Sequence, residues 1–116
     1  MKEINRSIGT VSLEQIVRFA GAVQDFNPIH YDPEFAKAAG LPGVIAQGPL
    51  TFLVALDALI AANGAENLCG FQARLKGPVL PGAPLSISCT ADGKVSLKAG
   101  ATEALAATLM ASPAAR

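Results

Sequence analysis

His30 is the single histidine of this 116-residue chain, and it closes the hexapeptide Asp25-Phe26-Asn27-Pro28-Ile29-His30, five residues after a carboxylate. An imidazole titrates near neutral pH, so beside an acid it can take a proton from water and hand one back. Pro28 fixes its own φ and biases Asn27 away from the helical region. Asp25 and His30 therefore do not lie along one regular helix and instead project from a shared corner. Taken alone, a histidine after an Asn-Pro turn serves structure more often than catalysis, so the elements around it carry the decision.

Upstream, Ile8 to Val11 reads as a short strand, and Ser12 with Gln15 at the third position forms a capping box. Leu13, Ile16, Val17, Ala20 and Val23 then recur at helical spacing and deliver the chain to Asp25. Downstream, Asp32 is a ready N-cap for a short helix with Pro33 at its first position and Gly40 as its stop. Leu41-Pro42-Gly43 breaks the chain, and Val44-Ile45-Ala46 is a brief extended piece. Pro49 opens a longer helix that runs through Leu50, Phe52, Leu53, Val54, Leu56, Leu59 and Ile60 and stops near Asn63-Gly64. That helix is apolar on nearly every face, with Asp57 the exception, and it requires something that surrounds it. Candidate strands follow at Leu68 to Leu75, Pro84 to Ala91, Lys94 to Ala99 and Ala101 to Ala111. Asp92-Gly93 is a two-residue hairpin signal, so these strands read as an antiparallel meander. Thr102 to Met110 has good helix propensity and only partial alternation, and its assignment to strand rests mainly on the family resemblance that follows.

The length suits one domain, residues 1–116, and no stretch reads as a linker. With 51% apolar and 16% charged residues, there is ample material for a core. Nine basic residues balance nine acidic ones and are scattered along the sequence, which argues against a nucleic-acid partner. Cys69 and Cys89 are too far apart for a metal-binding pair and read as two buried free thiols, so no metal is expected. The first twelve residues lack the apolar stretch of a secretory signal. Leu50 to Ala62 is too short to span a bilayer, so a cytoplasmic location without membrane contact is expected.

Four blocks together resemble the MaoC-like dehydratases, a family that includes the (R)-specific enoyl-CoA hydratases. They are Phe19-Ala20, then Asp25 through Ala36, then Ile45-Ala46-Gln47-Gly48-Pro49-Leu50, and Arg74-Leu75-Lys76-Gly77-Pro78-Val79 with Pro81-Gly82. The likeness covers about residues 15 to 90, and Asp-x-Asn-Pro-Ile-His is its most specific part. Gln24, Gln47, Pro49 and Leu75 stand where the family often has Gly, His, Met and an aromatic residue. The resemblance implies an α+β hot-dog fold, an antiparallel sheet wrapped around a long central helix, and a homodimer. It also implies reversible addition of water to the α,β double bond of an enoyl thioester carried on coenzyme A or an acyl carrier protein, with no cofactor.

By matching positions, Asp25 and His30 become the catalytic pair and the Gly48 amide becomes the donor to the thioester oxygen. Asn27, Gln47 and Thr51, the only hydroxyl in the long helix, are the candidate substrate-binding residues. The Asn27 amide has a competing use in tying down the Asn-Pro turn. Two other readings keep the same fold. One is a non-catalytic subunit that shapes the acyl channel of a heteromeric dehydratase, and the other is a thioesterase.

Overall fold

A computed structural model describes residues 1–113 of the chain. Its five strands are β1 (Ile4–Gly9), β2 (Leu68–Leu75), β3 (Leu85–Cys89), β4 (Lys94–Ala99) and β5 (Thr102–Ala111). They form one sheet in the order β1-β3-β4-β5-β2, with every neighbouring pair antiparallel. Three helices accompany them: α1 (Leu13–Val23), α2 (Pro33–Ala38) and α3 (Gly48–Asn63). The architecture is α+β, with the core between α3 and one face of the sheet.

Alternation builds that core. Leu85, Ile87 and Cys89 turn inward from β3, Val95 and Leu97 from β4, and Leu105 and Leu109 from β5. Ala55 and Leu59 of α3, Ile16 of α1 and Val79 close over them. Each buried leucine, isoleucine or valine contributes about 1.5–3 kcal/mol of apolar burial. Phe52 of α3 meets Phe71 of β2 with ring centroids 4.9 Å apart.

The sheet covers α3 on one side. Thr51, Ala55 and Leu59, spaced at four residues, are buried on the sheet, whereas Leu53 is 47% exposed. The all-round burial expected from its composition is thus met on one face within this chain. No helix among the described residues is long and apolar enough to cross a membrane.

Three local differences from the sequence reading, and the weak alternation of the last strand, have physical causes. The first strand lies earlier than Ile8 to Val11, because Gly9 at φ +87° ends its pairing and Val11 is buried, its carbonyl accepting from the Gly82 amide. The hairpin after β3 has a three-residue loop, Ala91-Asp92-Gly93, rather than two residues. The Thr90 amide donates to the Lys94 carbonyl, Gly93 N–H donates back to Thr90, and Gly93 sits at φ +90°. The weak alternation of β5 comes from a bulge: Leu97 pairs with Leu105 but Lys98 with Glu103, so Ala104 is the extra residue. Its carbonyl accepts from both Lys76 and Gly77 amides, and Ala104 and Leu105 are buried in succession. Finally, Cys89 is buried but Cys69 is exposed, because a register shift between Leu68 and Gly70 leaves Cys69 as the extra residue of β2.

Candidate active site

The capping box closes as read: Ser12 Oγ accepts from Gln15 N–H at 3.0 Å, and Gln15 Oε1 accepts from Ser12 N–H at 2.8 Å. This starts α1, which ends on Gln24 in the left-handed region at φ 58°, ψ 38°. Asp25 N–H then bonds back to Ala20 O at 3.0 Å, so the carboxylate leaves the helix in a fixed direction. One oxygen, Oδ1, accepts from Asn27 N–H at 3.3 Å. Asn27 Oδ1 in turn accepts from Ile29 N–H at 3.2 Å and caps a single 3-10 turn, Pro28–His30. Tyr31 Oη donates to Phe26 O at 2.9 Å and ties the two ends of the corner together. The Asn27 side-chain oxygen serves the turn, and Asn27 is an element of the corner rather than a demonstrated substrate contact.

His30 is buried, and two bonds lock it to the segment before α3. Ile45 N–H donates to Ile29 O at 3.1 Å, and His30 Nδ1 lies 2.7 Å from Ile45 O. A carbonyl only accepts, so Nδ1 carries the proton and donates. In the neutral ring this leaves the lone pair on Nε2, which faces Asp25 Oδ2 at 3.4 Å. The carboxylate is 41% exposed while the imidazole is sealed behind it, so water reaches the pair from the Asp25 side. The structure brings together the two groups that the sequence singled out.

Gly48 is the first residue of α3, and its N–H has no intrahelical partner. No side chain caps this terminus, and Pro49 has no N–H to offer. The amide is left at the positive end of a sixteen-residue helix. It follows Ile45 by three residues, so it lies within about 10 Å of the residue that holds the imidazole. Leu75, at the end of β2, packs against it: a Cβ built on Gly48 comes 2.6 Å from Leu75 Cδ1.

Gln47 and Thr51, the other two substrate-binding candidates, both make contacts within the chain. Gln47 is 0% exposed, and its Nε2 donates to Ile16 O at 2.8 Å, tying the entrance of α3 to α1. Thr51 is buried, and its hydroxyl returns to Gln47 O at 3.3 Å. Both side chains are buried, and Gln47 Oε1 has no hydrogen-bond partner among the described residues. Ile45 O is the site element the sequence did not reveal, because a main-chain acceptor has no side-chain signature. No group of three or more His, Cys, Asp or Glu side chains among the described residues is placed to hold a metal ion.

Comparison with known proteins gives this geometry a lineage. The profile of the MaoC-like domain matches residues 3–110. The chain belongs to the MaoC-like family. The MaoC-like domain here is 38% identical over 73 residues to the enoyl-CoA hydratase ChsH3 of Mycobacterium tuberculosis, covering 60% of this chain and 26% of that protein. A solved MaoC-like dehydratase superposes with a TM-score of 0.81 at 29% identity, over 93% of this chain and 38% of that one. The ChsH1-ChsH2 complex from Mycobacterium tuberculosis superposes at 0.75 and 20% identity, over 97% and 93% of the two chains. This MaoC-like domain thus has the hot-dog fold, and it spans under a third of the length of the first two relatives it matches by sequence, 26% and 29%.

Proposed function

We propose that this MaoC-like domain is a hydratase that adds water across, or removes it from, the α,β double bond of an enoyl thioester, yielding the (R)-3-hydroxyacyl thioester. The observation that carries this reading is the imidazole held through Nδ1 on Ile45 O, its Nε2 meeting Asp25 at 3.4 Å, on the segment that runs into the uncapped start of α3. A water within about 3 Å of both Nε2 and Oδ2 is oriented by two acceptors. As its oxygen forms a bond to C3, one O–H bond breaks and the proton passes to Nε2. The π electrons move toward C2 and the thioester oxygen, where the Gly48 N–H and the helix dipole stabilise the enolate. The imidazolium, stabilised by the adjacent Asp25 carboxylate, then gives its proton to C2 on the same face. Nothing is consumed but water, and no cofactor is required.

The proposal includes a homodimer, which would cover apolar side chains such as Leu13, Val17 and Leu53 that are about half exposed in the single chain. Crotonyl-CoA tests the chemistry. Loss of the conjugated thioester absorbance without free thiol supports hydration, thiol release supports the thioesterase, and inactivity on every thioester supports the non-catalytic subunit. Asp25→Asn and His30→Ala are each expected to lower turnover at least about a hundredfold in a folded protein. Near-normal activity in either variant would overturn the assigned roles.

A further inference from the structure

Three consecutive residues ahead of α3 are pinned, each from a different part of the chain. His30 Nδ1 donates to Ile45 O at 2.7 Å, Ala46 N–H donates to Val79 O at 2.8 Å, and Gln47 Nε2 donates to Ile16 O at 2.8 Å. The Gly48 N–H at the start of the helix comes next, and its direction is set one residue earlier. Gln47 C=O and Gly48 N–H belong to one planar trans peptide unit, so they point in opposite directions. Gln47 O accepts from Thr51 N–H at 3.0 Å and from Thr51 Oγ1 at 3.3 Å. The carbonyl is thereby held toward the helix, and the Gly48 N–H points away from it.

As a purely structural link, Gln47 is inefficient. It is 0% exposed, and its Oε1 has no hydrogen-bond partner among the described residues. An acceptor buried in that state has given up water for nothing, which lowers stability. Nor does Ile16 O depend on the Gln47 amide, because it lies inside α1, where the Ala20 N–H is its ordinary partner. An apolar side chain of similar length would fill the same space without the orphaned oxygen. What the amide adds is a tie between α1, which leads into Asp25, and the peptide unit that carries the Gly48 N–H. Asp25 N–H bonds to Ala20 O, one turn beyond Ile16, so carboxylate and amide are both referred to the same short stretch of α1.

We propose that Gln47 is a positioning residue for hydration: by holding its own peptide unit against α1, it sets the Gly48 N–H where enolate charge develops, in register with the Asp25–His30 pair. The proposal rests on the hydratase reading for the charge that the amide meets. A donor placed in advance at that oxygen acts on the transition state more than on the bound substrate, so its misplacement lowers kcat and spares KM.

Gln47→Met removes the amide and the orphaned oxygen together at nearly constant length. With crotonyl-CoA, kcat is expected to fall at least about tenfold with KM within about twofold, while the urea midpoint stays level or rises. Gln47→Glu keeps the shape, but only its protonated carboxyl can donate to Ile16 O, and burial favours that form. The ratio of its kcat to that of the parent is expected to be near one at low pH and to fall as the carboxyl ionises, whereas the ratio for Gln47→Met stays low and flat. Residual dipolar couplings of the isotope-labelled chain read amide directions without turnover, and Gly48 is expected to reorient in Gln47→Met while Ile45 and Ala46 keep the parent values. Parent-like kcat in Gln47→Met, a rate loss that merely tracks a lowered urea midpoint, or an unmoved Gly48 amide would each overturn the proposal and leave the hydratase reading standing. Reorientation of Gly48 in a chain that hydrates no thioester would uphold the positioning role and bring down the hydratase reading instead.

Discussion

Replacing Gly48 with alanine separates packing from chemistry at the helix terminus. The added Cβ meets Leu75 Cδ1 at 2.6 Å, so that methyl must retreat by about 0.8 Å to reach the 3.4 Å at which ordinary contact begins. Leu75 is 52% exposed and free to change rotamer, at a cost of about 0.5–1.5 kcal/mol. Alanine in place of glycine in the helix returns up to about 1 kcal/mol. The two effects offset each other, and stability is expected to stay within about 1 kcal/mol of the parent chain. The rate does not share this cancellation. A methyl beside the amide displaces the thioester oxygen by about 1 Å, and misplacement on that scale costs about a hundredfold. Complete loss of such a donor costs about 10²–10³, which bounds the effect. The assay is kcat/KM for crotonyl-CoA alongside a urea melt, with Leu75→Ala added to the same chain. The second substitution makes room for the methyl and should relieve any residual strain while leaving the rate low. Activity within threefold of the parent in Gly48→Ala, or its recovery on adding Leu75→Ala, would refute the role given to the amide.

Three further expectations concern the frame around the site. Gly93→Ala forces a side chain onto a backbone at φ +90° and drives its Cβ into Leu109 O, so a loss of at least about 2 kcal/mol is expected as a lowered urea midpoint; an unmoved midpoint would disprove the fit. Gln24→Gly removes a left-handed non-glycine residue at the end of α1 and should raise the melting temperature by about 2–6 °C without changing the rate, whereas a fall in stability would contradict this account of the helix end. The Ser96 hydroxyl, and after it Lys76, hold the Glu103 carboxyl below its ordinary titration range. The stability these contacts confer is present above the unfolded-state carboxylate range and is lost as pH falls through the lowered folded-state value. Ser96→Ala should shift the Glu103 titration upward by NMR, and an unchanged curve would show that the hydroxyl does not stabilise the ionised form.

Legibility from sequence followed a simple division between side chains and main chain. The Ser12 and Gln15 capping box, the Asp32 cap, the Asn27 turn and the Asp25–His30 pair were readable because each depends on side-chain types at short spacing. The helix propensity of Thr102 to Met110 competed with its alternation, and the bulge at Ala104 explains why neither signal was clean: two successive residues face inward where a regular strand allows one. Asp92-Gly93 suggested a two-residue loop, but the Thr90 amide pairs with Lys94 and adds Ala91 to the turn. The bond from Gln47 Nε2 to Ile16 O has no local signature, because it joins residues 31 positions apart. Which strands lie side by side, with β5 between β4 and β2, is likewise not written in the local pattern.

The carbonyl of Ile45 that orients the ring belongs to the peptide link rather than to a side chain. Substitution at position 45 can therefore alter size or polarity while leaving the acceptor in place, and an alanine scan would pass over this residue in silence. Exposing its contribution requires exchanging the atom itself, by selenium or sulfur in place of that oxygen, in a chain assembled by chemical ligation. Ordinary drift of amino-acid type at this point would leave the tautomer untouched, so related chains are free to vary there without forfeiting the proton on Nδ1.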